Sequence, residues 1–183
     1  MRVLVACEES QTVCKAFRAL GHEAYSCDIQ ECSGGHPEWH VMGDCTPLLD
    51  GDCAFETADG ARHEIVGEWD LLICHPPCTY MSKAGARWMY AGGTLNQERL
   101  ALAMQARDFF FRCYNAKCKH VAVENPVPLK IVELPPPNVL CTAFRARRAV
   151  QQEDLPLAQR TAIHRADIRR AGLQALSAKQ RWR

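Results

Sequence analysis

The stretch Pro76-Pro77-Cys78-Thr79-Tyr80-Met81-Ser82-Lys83-Ala84-Gly85 stops an apolar run abruptly and sets a thiol on the turn that follows. A deprotonated thiol is a soft nucleophile, suited to reversible conjugate addition at an electron-poor ring carbon. The competing reading is a structural cysteine after a turn, a role that Cys74, inside the apolar run, fills more naturally. A second chemical feature, Glu124-Asn125-Pro126, follows another apolar run, and one long helical pattern separates the two. A carboxylate there can orient or handle a proton beside a nucleophile. The same tripeptide also suits a cap or turn.

The elements that would position these groups alternate. Residues 2–7, 23–29, 39–42, 70–74 and 120–123 read as short strands, several of them apolar throughout as in a sheet covered on both faces. Residues 11–20 place Val13, Ala16, Phe17 and Leu20 on one helical face, with Gly21 as the stop. Residues 96–117 give the longest helical pattern, with Leu102, Ala106, Phe109, Phe110 and Cys113 on one side. The polar stretch 50–69, centred on Asp59-Gly60, reads as an inserted hairpin. The alternation predicts an α/β fold with a mostly parallel, doubly wound sheet, whose ligands gather at the carboxyl ends of the strands. Glu8, Asp28, Asp44, Cys78 and Glu124 all fall at or just past such ends.

Composition narrows the class. The chain has 183 residues, enough for one domain with a real core. No apolar run is long enough to span a membrane, and the N-terminus carries no basic leader, so a cytoplasmic protein is expected. The eleven cysteines are odd in number, form no CxxC pair and sit partly inside strand-like runs, which predicts reduced, buried thiols rather than a disulfide scaffold. Cys32, His36 and His40 recur every four residues, but Pro37 interrupts any helix that would align them, and no metal site is expected. Net charge is +1, unevenly divided: from Val139 onward ten Lys/Arg face three Asp/Glu, leaving twelve against eighteen in residues 1–138. Any nucleic-acid contact of the body must therefore be local.

The Pro-Pro-Cys stretch resembles the catalytic loop of DNA cytosine-5 methyltransferases, where Ser follows the cysteine by four residues and Gly by seven; Ser82 and Gly85 meet both offsets. That family carries Glu-Asn-Val where this chain has Glu124-Asn125-Pro126. The likeness to short phage and prophage members covers roughly residues 1–138 and implies a Rossmann-like fold that binds S-adenosylmethionine. It implies Cys78 as the nucleophile toward C6 of a cytosine flipped out of DNA, and Glu124 as the group that bonds the pyrimidine edge. Pro77, Ser82, Asn125 and Pro126 would line the base.

For the cofactor, the family's glycine-rich turn after the first strand is replaced here by Ala6-Cys7-Glu8-Glu9-Ser10-Gln11-Thr12-Val13, which lacks glycine. The amides ahead of the first helix, capped by Ser10 or Thr12, would meet the methionine carboxylate. Asp28 would hold the ribose hydroxyls and Asp44 the adenine amino group. Cys7, Glu8, Gln11, Val13, Ile29, Cys45 and Pro76 complete the expected cofactor contacts.

The likeness stops at residue 138. Residues 139–183 form a basic, atypical tail in which Phe144-Arg145-Ala146-Arg147 departs from the family's Gln-x-Arg-x-Arg. Permitted codons for Ala149–Ala158, read one base later, yield Pro-Tyr-Ser-Lys-Lys-Thr-Cys-Leu-Trp-Leu, which resembles the segment those relatives carry at this point. A frameshifted tail would turn the chain into a catalytically impaired remnant that retains cofactor or DNA binding. With no room for a separate target-recognition domain, a methyltransferase acting on a nucleotide or RNA is the other alternative.

Overall fold

A computed structural model describes residues 1–137; the basic tail and the boundary before it lie outside the described residues. In chain order come β1 (Arg2–Ala6), α1 (Thr12–Ala19), β2 (Glu23–Asp28), β3 (His40–Met42), β4 (Cys53–Glu56) and β5 (Arg62–Ile65). They are followed by β6 (Leu71–Cys74), β7 (Tyr90–Ala91), β8 (Thr94–Leu95), α2 (Gln97–Tyr114) and β9 (Val121–Val123). Five strands form one sheet in the order β3-β2-β1-β6-β9, and every neighbouring pair is parallel. The fold is thus α/β with a parallel sheet, as the alternating pattern implied.

The centre of that sheet is β1, where Val3, Leu4, Val5 and Ala6 are fully buried. Both faces are covered, so its residues read as an unbroken apolar run. Val3 and Val5 pack with Val13, Cys14 and Phe17 of α1, whereas Leu4 and Ala6 face a larger cluster with Trp69, Leu72, Cys74 and Cys113. Burying each large aliphatic or aromatic side chain contributes roughly 1.5–3 kcal/mol. Trp69 is fully buried and satisfies its indole N–H on the Leu48 carbonyl at 2.6 Å. The β4–β5 hairpin, turning at residues 57–60, adds Phe55 and Ile65 to this cluster.

Two helical details differ from expectation. The buried face of α2 is formed by Ala103, Ala106, Phe110 and Cys113, while Leu102 is 40% exposed. Apolar residues run around much of this helix, so periodicity alone did not choose its inner side. Neither Ser10 nor Thr12 caps α1; Thr12 donates instead to the Ser10 hydroxyl at 3.2 Å. The cap comes from Glu8, whose carboxylate accepts from the amides of Val13 (2.7 Å) and Cys14 (3.1 Å). Gly21 does end α1, with φ of 80° and its amide on the Arg18 carbonyl.

Sheet register fixes what meets at the carboxyl rim. Ala6 is level with Cys27 and with Cys74, and Cys74 with Val123. The next residues along each strand, Glu124, His75, Cys7 and Asp28, therefore form a row across β9, β6, β1 and β2. The row crosses the point where strand order reverses, between β1 and β6, which is where open parallel sheets leave a crevice.

Candidate active site

His75 extends the β6 ladder by donating its amide to the Ala6 carbonyl (3.0 Å), and Glu124 extends β9 by donating to the Cys74 carbonyl (2.9 Å). Those two backbone bonds bring the side chains together: His75 Nδ1 lies 3.9 Å from Glu124 Oε2. Glu124 is half exposed, whereas the His75 ring is almost enclosed. Pro76 is buried and Pro77 exposed, so the chain lifts off the sheet at once and Cys78 stands half-buried over this pair. Burial, and then the charge of Glu124, hold the Cys78 thiol above the usual thiol range. The two residues singled out for chemistry, far apart in sequence, are thus electrostatic neighbours on one rim.

The turn carrying Cys78 is pinned by its own backbone. The Cys78 carbonyl accepts from the amides of Met81 and Ser82, both at 3.0 Å. Lys83 donates to Val127 O and Leu129 to Met81 O, which ties the turn to the segment after Glu124. Ser82 is buried in this tie rather than directed into the rim. Gly85 has a steric reason: a Cβ there would lie 2.8 Å from the Thr79 carbonyl, which also accepts from Arg99 of α2 at 3.2 Å. The offsets from Cys78 to Ser82 and Gly85 therefore coincide with the residues that pack the turn.

Two buried polar atoms at the rim have no partner among the described residues, His75 Nε2 and Asn125 Oδ1. Asn125 uses its amide nitrogen locally, donating to the Pro126 carbonyl at 2.6 Å. Leaving a polar atom buried and unsatisfied costs about 1–3 kcal/mol, and such atoms concentrate where a ligand completes them. Pro126 itself is exposed. His75 was not among the residues selected from the sequence. Its position directly after a buried strand and ahead of Pro76 was the available signal.

On the cofactor side the structure divides the expected residues. Asp28 and Asp44 stand at the carboxyl ends of β2 and β3, each with Oδ1 in a turn, accepting from Gln30 N (3.0 Å) and Thr46 N (2.9 Å). Ile29 beside them is 79% exposed. This acidic rim fits a nucleoside's hydroxyl and amino donors. The methionine end fits poorly, because Glu8 already occupies the amides of Val13 and Cys14 that would meet a carboxylate. Gln11 is fully buried and binds His36 through both ends of its amide, at 2.7 and 3.0 Å. A Cβ on Gly34 would stand 2.5 Å from Gln11 Cβ, so the 33–36 loop is seated directly on that side chain. Val13 packs from α1 against Val3 and Val5 of the sheet, and Cys45 is buried in the cluster that holds Cys27, Cys74 and Cys113. Ser10 keeps a half-buried hydroxyl near the loop. The side chains of Glu8, Gln11, Val13 and Cys45 thus have partners within the fold.

The histidines once considered with Cys32 are occupied separately. His36 stacks on Trp39 with ring centroids 3.8 Å apart, and His40 binds Ser26 and the Gln30 carbonyl. All ten described cysteines are free thiols. No helix among the described residues is long and apolar enough to cross a membrane. The chain matches no family model, no curated protein and no solved structure.

Proposed function

We propose that this protein is a Rossmann-like methyltransferase that transfers a methyl group from S-adenosylmethionine to C5 of cytosine in DNA through a covalent Cys78 adduct at C6. The observation that carries this reading is the meeting of Cys78 with Glu124 at the carboxyl rim, produced by adjacent parallel strands β6 and β9. Glu124 has the charge and exposure to bond a pyrimidine's N3 and amino edge. Burial, and after it the Glu124 charge, oppose ionisation of the resting thiol. A base bonded to Glu124 compensates that charge and lets the thiol ionise beside its target, which ties nucleophile activation to substrate binding. Asn125 Oδ1 and His75 Nε2 are buried atoms of the same segments that lack partners among the described residues. Bound S-adenosylmethionine would supply the methyl group; Asp28 and Asp44 are the side chains suited to its nucleoside. Loss of the C5 proton and expulsion of Cys78 then restore the aromatic ring.

A second reading, a chain that binds base or nucleoside without turnover, is favoured by Glu8 filling the amides expected for the cofactor carboxylate. The two readings separate on an oligonucleotide containing 5-fluorocytosine, where loss from C5 is blocked and the adduct persists. With cofactor present, the wild type should give a mass-shifted covalent species and Cys78→Ser none. Cys74→Ser should keep the adduct while lowering stability. An adduct in Cys78→Ser would refute the assignment, and none in the wild type would favour the non-catalytic chain. Calorimetry on the protein alone should detect S-adenosylmethionine binding that weakens in Asp28→Asn.

A further inference from the structure

Cys7, Cys27, Cys45, Cys74 and Cys113 come from β1's end, β2, the loop after β3, β6 and α2, yet they share one cluster. Four of them are buried, with Cys74 and Cys113 at 0% exposure, whereas Cys7 is only partly buried. Cys7 has φ of 60°, a left-handed conformation that turns the chain away from the strand direction at this point. Cys45 and Cys74 are the neighbours that lower its thiol pKa, and Cys74 Sγ is 2.8 Å from Cys113 Sγ. The partly buried Cys7, one residue past the Ala6–Cys74 pair of the β1–β6 ladder, thus packs against the cluster that holds the Cys74–Cys113 contact. Cys27 stands aside from that contact, donating to the Gly43 carbonyl at 3.5 Å.

We propose that Cys7 is an oxidative modification site that accepts the equivalent of a peroxide and passes it inward as a disulfide ending on Cys74 and Cys113. In the first step the Cys7 thiolate attacks a peroxide oxygen, the O–O bond breaks, and a sulfenic acid and water (or an alcohol) form. Cys74 then attacks the Cys7 sulfur; a Cys7–Cys74 disulfide forms and the hydroxyl leaves as water. Finally Cys113, after losing its proton, attacks Cys74, and Cys7 departs as thiolate. Two thiols have lost two electrons and two protons, and the peroxide has gained both.

The order follows from the thiols' surroundings. Cys45 and Cys74 beside it hold the Cys7 thiol below the usual thiol range, which favours its thiolate and makes it the best leaving group of the set. Its neighbour Cys74 is pushed far upward by the contacts with Cys113 and Cys7 and by burial. Cys78 is pushed upward too, which makes it the slower target despite its exposure. None of this depends on methyl transfer. The alternative is that the thiols are small hydrophobes packed together and inert.

The test is a peroxide titration of the fully reduced, full-length protein at neutral pH, quenched with an alkylating reagent and mapped by tandem mass spectrometry. At equimolar peroxide the first product should be a Cys74–Cys113 disulfide with Cys7 still alkylatable. Cys7→Ser should slow its formation about tenfold or more, and Cys113→Ala should instead accumulate Cys7–Cys74. The control Cys32→Ser, at a partly buried thiol outside the cluster, should change nothing. First oxidation at Cys32 or Cys78 with the cluster still reduced would overturn the proposal, as would an undiminished rate in Cys7→Ser. The wild-type map and Cys7→Ser decide the matter even if Cys113→Ala does not fold.

Discussion

The amide of Glu124 donates to the carbonyl of Cys74 at 2.9 Å, so the last rung of the β6–β9 ladder lies at the foot of the turn that carries Cys78. With the rest of the ladder, this bond sets two distant sequence motifs side by side at the carboxyl rim. Its electrostatic consequence is that the carboxylate opposes ionisation of the thiol.

Glu124→Gln should therefore speed alkylation of Cys78 at neutral pH. Removing the charge lowers a thiol pKa that now lies above its ordinary value, so the thiolate fraction at a given pH rises. In the proposed reaction the same variant should lose a hundredfold or more in rate, about 3 kcal/mol of barrier. Iodoacetamide kinetics followed across pH, beside a methyl-transfer assay, would show the two effects moving in opposite directions. Slower alkylation in the variant would remove Glu124 from the thiol's surroundings.

Glu8→Ala should destabilise the fold by about 1–3 kcal/mol, because the amides of Val13 and Cys14 lose their acceptor inside the protein. Glu8→Gln should retain part of this, since one amide oxygen can still accept. Urea denaturation of the three proteins gives the ranking. An unchanged midpoint for Glu8→Ala would mean that water serves those amides as well.

Gly85→Ala should cost roughly 1–3 kcal/mol through crowding against the Thr79 carbonyl, a backbone atom that cannot swing aside. Gly92→Ala meets no atom within 4 Å, and only its backbone conformation, with φ of 58°, resists the change. Thermal unfolding of Gly85→Ala should fall well below that of an Arg99→Ala control, which removes only the flexible neighbour.

Asp50 and Arg112 form a paired contact at 2.9 and 3.2 Å, and Asp50 also accepts from the Lys117 amide at 2.8 Å. Arg112 is the main cause holding this carboxyl below its ordinary 3.8. The stability it contributes is therefore complete above that value and is lost as pH falls through the lower folded one. Both partners are over a third exposed, so Asp50→Asn should cost under about 1 kcal/mol near neutrality. The gap from wild type should close in acid, below the ordinary carboxylate range. A gap that widens there would reverse the sign of the coupling.

The strands were legible because β1 and β6 are largely buried and spell apolar runs, while β2 keeps a buried stretch from Ala24 to Cys27 between polar ends. The carboxyl ends of β2, β3, β6 and β9, and with them Asp28, Asp44, Cys78 and Glu124, followed from the parallel-sheet rule. The capping of α1 was hidden because its acceptor, Glu8, sits outside the positions where Ser, Thr or Asp usually cap. Leu102 was misplaced because an 18-residue helix with apolar residues on several sides has no single obvious inner face. The contact among Cys7, Cys74 and Cys113 was invisible for a different reason: it depends on strand order and register, which no local pattern encodes. His75 belongs to the same case, since its nearness to Glu124 appears only once β6 and β9 are neighbours.

The ties that fold residues 78–85 against 127–129 also have a kinetic meaning. Amides of Ser82, Lys83 and Leu129 are held by separate carbonyls on opposite sides of the turn, so they should open to solvent only when the whole patch opens. Hydrogen exchange there should be slow and shared, while Gly92 and Gly93, at the tip of the β7–β8 hairpin, exchange far faster. A ligand arriving at Cys78 would meet a surface whose ordering entropy was settled when the chain folded, and its association would carry little of that cost.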